Sequence, residues 1–138
     1  PVDHPLGAAM MVRWDVVRQV GVFDEGFHMY CEEIDWCMRI KRAGWQICCV
    51  PQAEVVHYEG QSTGQVKTQS FVNLWRSRRR LYEKHYRPLK RWLAWRLVRM
   101  GMKYRAWNAE RDKERGVLDQ AEADSRIRAH RSVLAQFD

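Results

Sequence analysis

The chain has 138 residues, 46% of them hydrophobic, so one ordinary domain with a modest core can form, and no apolar run reaches the length of a membrane span. The net charge of +7 is unevenly spread: residues 1–59 hold five Lys/Arg against nine Asp/Glu, residues 60–115 sixteen against four, and residues 116–138 three against four. An acidic front and a basic middle imply two jobs, with the middle drawing phosphate, anionic lipid or nucleic acid.

Residues 6–12 are a mostly apolar run whose latter part is predicted to be a short buried strand, with small residues that let another backbone or a ligand come close. A short helix is predicted over 15–20, capped by Gly21. Phe23-Asp24-Glu25-Gly26-Phe27 reads as a turn between two aromatic anchors. From 32 to 43 the pattern is helical, with Ile34, Cys37, Met38 and Ile40 apolar. Its acids at the start and Arg39, Lys41 and Arg42 at the end complement the helix dipole, and Gly44 stops it. A strand is predicted over 45–50, ended by Pro51, then an extended piece over 53–58 and a polar loop over 60–64. Helices are expected over 68–86 and, after the break at Pro88, over 89–114. Gly116 marks another break before a last amphipathic helix over 118–137, with Leu118, Ala121, Val133, Leu134 and Phe137 as its apolar positions. The sign change in charge near 60–68 sets the one expected boundary, dividing residues 1–64 from residues 65–138.

Seven Trp is a large load for this length, and some of the rings are expected at an interface. Cys31, Cys37, Cys48 and Cys49 contain no C-x-x-C pair, which argues against a four-thiolate zinc site. Free thiols buried as small hydrophobes fit better and imply a reducing compartment. The start, Pro1-Val2-Asp3-His4-Pro5, has no initiator Met or signal peptide and reads as a segment of a longer protein.

Glu32, Glu33 and Asp35 put three carboxylates into four residues at a helix start. One reading is a general base, since crowded acids oppose ionisation while the helix dipole favours it. The other is an ordinary helix start, where acids are favoured anyway and Asp35 pairs with Arg39 one turn on.

Several motifs stand in order around these acids: Gly7-Ala8-Ala9-Met10-Met11-Val12-Arg13, then Val20-Gly21-Val22-Phe23-Asp24-Glu25-Gly26-Phe27, then residues 29–40 with Glu32-Glu33-Ile34-Asp35-Trp36 at their centre, Ala43-Gly44-Trp45, Val50-Pro51, and Val55-Val56-His57-Tyr58-Glu59-Gly60-Gln61-Ser62. Together they resemble the family 2 glycosyltransferases, particularly the rhamnosyltransferase-like members, over about the first half of the chain. The resemblance implies an α/β fold: the C-terminal part of a glycosyltransferase A-type (nucleotide-diphospho-sugar transferase) fold, followed here by C-terminal helices. In that family an acidic pair opens this helix and its second acid serves as the base. That position is Glu33, with Glu32 before it and Glu where the family's pattern has Asp. Asp35 matches a further family acid that orients the site or holds structure. The three are the candidate catalytic residues of an inverting enzyme that moves a sugar from a nucleotide-sugar donor to a saccharide or lipid-linked acceptor.

His57 sits beside a polar, Gly-containing loop from which a side chain can reach a ligand. The resemblance implies a metal ligand, for Mg²⁺ or Mn²⁺ in the full-length enzyme; a histidine bonded to backbone at a sheet edge is the equal alternative. The other ligands belong to an Asp-x-Asp motif, which this chain does not contain. Gln61, Ser62 and Trp45 are the candidate substrate-binding residues, although Gln61 and Ser62 also suit a plain turn.

In the basic half, bases alternate with Trp92, Leu93, Trp95, Leu97, Val98, Met100, Met102, Tyr104 and Trp107. This suits either an interfacial helix on anionic lipid or an apolar stripe packed on its own protein with a solvated basic face. Nucleic acid is not an expected partner, because no recognition motif accompanies the charge. The expected setting is cytoplasmic, with peripheral contact at the inner face of the membrane. The chain by itself is expected to be inactive, with uncovered sheet edges that favour homo-oligomers. A non-catalytic membrane- or partner-binding module that retains a remnant of the transferase fold is the alternative function.

Overall fold

The computed structural model describes residues 1–58 and 67–138. Residues 1–61 and 62–138 form two compact units.

The first unit is built on two short helices, α1 (Trp14–Val20) and α2 (Glu32–Arg42). Val16, Trp36 and Ile40 form its buried centre, with Met10, Val12, Val17, Val20, Trp45 and Ile47 packed around them. α1 ends at Gly21, whose φ of 76° lies in the left-handed region that favours glycine. That turn brings the chain back over α2, where the Trp36 indole N–H donates to the Gly21 carbonyl at 2.8 Å and Phe23 meets the Trp36 ring edge-on at 4.7 Å. The predicted turn at residues 23–27 is present. Asp24 Oδ1 accepts from the Gly26 N–H at 2.9 Å, and Phe27 is buried.

The predicted strands are not present: among the described residues the regular elements are helices alone. Residues 45–50 and 53–58 are without helix or ladder, tied at one point by the Val2 N–H to the Ile47 carbonyl at 2.8 Å. Residues 6–12 are likewise irregular, with Met10 and Val12 packed on the core and Leu6 and Met11 exposed. The physical reason is that a strand exists only as a member of a ladder, and no described segment supplies a partner backbone to these three. The α/β expectation is therefore not borne out among the described residues. The cysteine expectation holds for Cys31 and Cys37, which are buried, but Cys48 and Cys49 are exposed on the unpaired segment; all four are free.

The second unit contains α3 (Lys67–His85), α4 (Pro88–Glu114) and α5 (Gln120–Leu134). Pro88 stands at the first turn of α4, where its missing N–H costs nothing. At 27 residues, α4 is about 40 Å long. α5 runs antiparallel to it, as shown by Lys113–Asp124 at 2.8 Å, Arg131–Glu110 at 3.1 Å and the Arg99 guanidinium on the Phe137 carbonyl at 3.1 Å. Asp119 caps α5, accepting from the Glu122 N–H at 2.8 Å. Met102, Val133 and Phe137 are the buried centre, ringed by Phe71, Val72, Trp75, Tyr82, Trp95, Val98 and Leu134. Ala106, Ala109, Ala123 and Ala129 are also buried, and such short side chains let helix backbones approach closely. α5 is shorter than predicted: Ala121 faces solvent, while Ala123, Ile127 and Ala129 join Val133 in the interior.

Candidate active site

The acids stand on the first turn of α2, and the backbone just before it is unusual. Tyr30 and Cys31 have φ of 69° and 67°, two successive non-glycine residues in the left-handed region. Each such residue costs about 1–2 kcal/mol. No side chain caps the helix at Cys31. The chain thus enters α2 through a strained corner, and Glu32, Glu33 and Asp35 are the negative charges that face the positive end of the helix. Strain of this kind persists only where the surrounding packing holds it, and it gathers at functional sites.

The three carboxylates occupy different environments. Asp35 is fully buried, with 0% of its surface exposed, and pairs with Arg39 Nε at 2.9 Å. Arg39 in turn donates to the Val20 carbonyl at 2.5 Å and the Val22 carbonyl at 2.7 Å. This pair fastens the loop after α1 to α2, which supports the holding role for Asp35 rather than contact with an acceptor. Glu32 is half-buried, and its Oε2 is enclosed without a hydrogen-bond partner among the described residues. Glu33 is half-buried and lies against the backbone at Gly7: a Cβ on Gly7 would stand 3.4 Å from Glu33 Cγ. Among the described residues its carboxylate has no ion pair or hydrogen bond. One turn on, the Cys37 thiol is pushed up from its ordinary value by burial and, second, by the Glu33 charge, so it stays a protonated thiol.

The other sequence-predicted residues are not gathered here. His57 is exposed on the unpaired segment, and no group of three His, Cys, Asp or Glu among the described residues is placed to hold a metal ion. The described residues do not make a metal site by themselves. Trp45 is part of the hydrophobic packing: its indole N–H donates to Gln19 Oε1 at 2.7 Å, and the Arg13 guanidinium lies 5.3 Å from its ring centroid. Its indole N–H is thus already engaged within the first unit. Gln61 and Ser62 lie outside the described residues. Two features carried little sequence signal. Nothing in Tyr30-Cys31 announces a left-handed corner, since neither is Gly or Asn, and the seat of Glu33 on Gly7 was hinted at only by the small residues of that segment.

Residues 4–110 match the family described as Glycosyl transferase family group 2. The chain belongs to that family. It is 44% identical over 64 residues to the N-acetylglucosaminyl-diphospho-decaprenol L-rhamnosyltransferase of Mycobacterium tuberculosis, which covers 46% of this chain and 21% of that protein. It is 42% identical over 57 residues to the rhamnosyltransferase WbbL of Escherichia coli, covering 41% of this chain and 22% of that one. The low-salt glycan biosynthesis hexosyltransferase of Haloferax volcanii is 39% identical over 57 residues, 41% of this chain and 19% of the relative. The chain therefore spans about a fifth of the length of these relatives. No solved structure matches it.

Proposed function

We propose that this member of the glycosyl transferase family carries the acceptor-side carboxylates of an inverting enzyme, acting on a nucleotide-sugar donor and a saccharide or lipid-linked acceptor. The observation that carries the reading is the contrast on one helix turn between Asp35, buried and paired with Arg39, and Glu33, half-buried and unpaired among the described residues. A base must keep its lone pair available and reach the proton it takes. In the proposed step the acceptor hydroxyl oxygen bonds to the anomeric carbon of the donor. The bond from that carbon to the nucleoside diphosphate breaks, and its electron pair leaves with the diphosphate. The hydroxyl proton passes to the Glu33 carboxylate. Glu32 keeps the local charge negative, and Asp35 is a positioning residue that acts through Arg39.

A lipid-linked acceptor is supported by the similarity to the mycobacterial N-acetylglucosaminyl-diphospho-decaprenol L-rhamnosyltransferase. A cytoplasmic protein in peripheral contact with the membrane, able to form homo-oligomers, belongs to the same reading. Mg²⁺ or Mn²⁺ belongs to it as well, with His57 as one ligand and the others from an Asp-x-Asp motif upstream of this chain. The test of the base is Glu33→Gln in the full-length enzyme. Turnover falls about 10²–10⁴-fold while donor affinity holds; unchanged turnover removes Glu33 from the role. His57→Ala weakens metal-dependent donor binding in a titration, and equal affinity excludes it as a ligand.

A further inference from the structure

We propose that the outer face of α4 lies on the surface of a bilayer containing anionic phospholipid. This deepens the peripheral-contact part of the function proposed above and names the surface and the lipid class. α4 is apolar on two opposite sides. Met102, Ala106 and Ala109 are buried on the inner side. Leu89, Leu93, Leu97, Met100, Tyr104 and Trp107 follow one another at spacings of four, four, three, four and three residues, and all are exposed. That spacing keeps them on one stripe, about 27 Å long.

The charge around the stripe is of one sign. From Lys84 to Ala109 the chain has eight Lys/Arg and no Asp or Glu. Arg96 and Lys103 are exposed and fall within the stripe, each three residues after one apolar member and four before another. Two bases lie over indole rings, Arg96 over Trp92 at 5.5 Å and Arg111 over Trp107 at 4.5 Å. Leu side chains that sink below headgroup level, indoles at that level and long cationic side chains reaching lipid phosphate are the parts of an interfacial helix. A second copy of this chain does not suit the face, because the stripe would bring like charges together. No helix among the described residues is long and apolar enough to cross a membrane, so α4 lies on the bilayer and does not span it.

The test is flotation of the full chain with vesicles of phosphatidylcholine alone and of phosphatidylcholine with phosphatidylglycerol. The chain floats with the anionic vesicles and much less with the neutral ones, and added salt weakens binding. Lys90→Gln, Arg96→Gln and Lys103→Gln together lower the partition about a hundredfold, about fivefold per base, which corresponds to about 1 kcal/mol each. Leu97→Glu with Met100→Glu abolishes it, and since both positions are exposed, circular dichroism stays that of the parent. Glu33→Gln floats as the parent does, so a failure of the catalytic reading leaves this result intact. Equal binding to both vesicle types, no binding, or variants that float like the parent overturn the proposal. So does a dimer in sedimentation that the same substitutions dissolve without any flotation.

Discussion

At the scale of single residues, the site depends on what each carboxylate is next to. Gly7 leaves the space in which Glu33 lies, and a methyl group there would crowd Cγ at 3.4 Å. Gly7→Ala is expected to shift Glu33 by a few tenths of an ångström. In the full-length enzyme this lowers turnover by up to about a hundredfold, as a small misplacement of a reacting group can, with stability changed by less than about 0.5 kcal/mol. Kinetics and urea unfolding on the same preparation check both halves of that expectation. Asp35 shows the opposite behaviour. Arg39→Leu removes the guanidinium paired with the buried Asp35 carboxylate and frees the Val20 and Val22 carbonyls. It is expected to cost about 3–5 kcal/mol, read from the shift in the urea midpoint.

At the scale of elements, α5 offers a pH-dependent test. His130 is held below its ordinary value of 6.5, first by burial and then by the charges of Arg105 and Arg126, and its ring meets Phe71 edge-on at 5.4 Å. The folded state therefore keeps this imidazole neutral where the unfolded chain has begun to bind a proton. The unfolded state binds more protons in that window, so the free energy of unfolding rises with pH there. The contribution is complete above about 6.5 and is lost as the pH falls through the lower folded value. Urea midpoints taken from pH 7.5 to pH 5 are expected to fall, and His130→Leu to flatten that dependence. The α5 cap is a second test: Asp119→Ala removes the acceptor for the Glu122 N–H and costs about 1 kcal/mol, read as lost helicity and a lower midpoint.

At the scale of the whole molecule, each unit leaves apolar surface open. In the first unit Val50, Val55, Val56 and Tyr58 are exposed along segments that the sequence marks as strands. Exposed apolar side chains on backbone that forms no ladder among the described residues are a template for pairing with another chain. Self-association in sedimentation is the expected outcome, and Val56→Lys is expected to shift it toward monomer without loss of helicity. In the second unit the outer stripe of α4 has a different character, since its bases resist pairing with a copy of itself.

The sequence by itself determined the helices. α2, α3 and α4 begin and end within a residue of the expected 32–43, 68–86 and 89–114, because periodicity, Pro88 and the stop glycines are local properties of the chain. It also determined the acidic helix start, the charge division and the family resemblance, which the match over residues 4–110 supports. Tertiary structure alone decided which acid is sealed and which is open, where the Tyr30–Cys31 corner falls, which alanines of α5 turn inward, and that the apolar segments at 45–50 and 53–58 have no ladder in the described residues. A helix closes its hydrogen bonds within itself, so its signal is complete in a short stretch of sequence. A strand, a buried ion pair or a covered helix face needs a distant partner, and spacing along the chain does not say whether that partner is there.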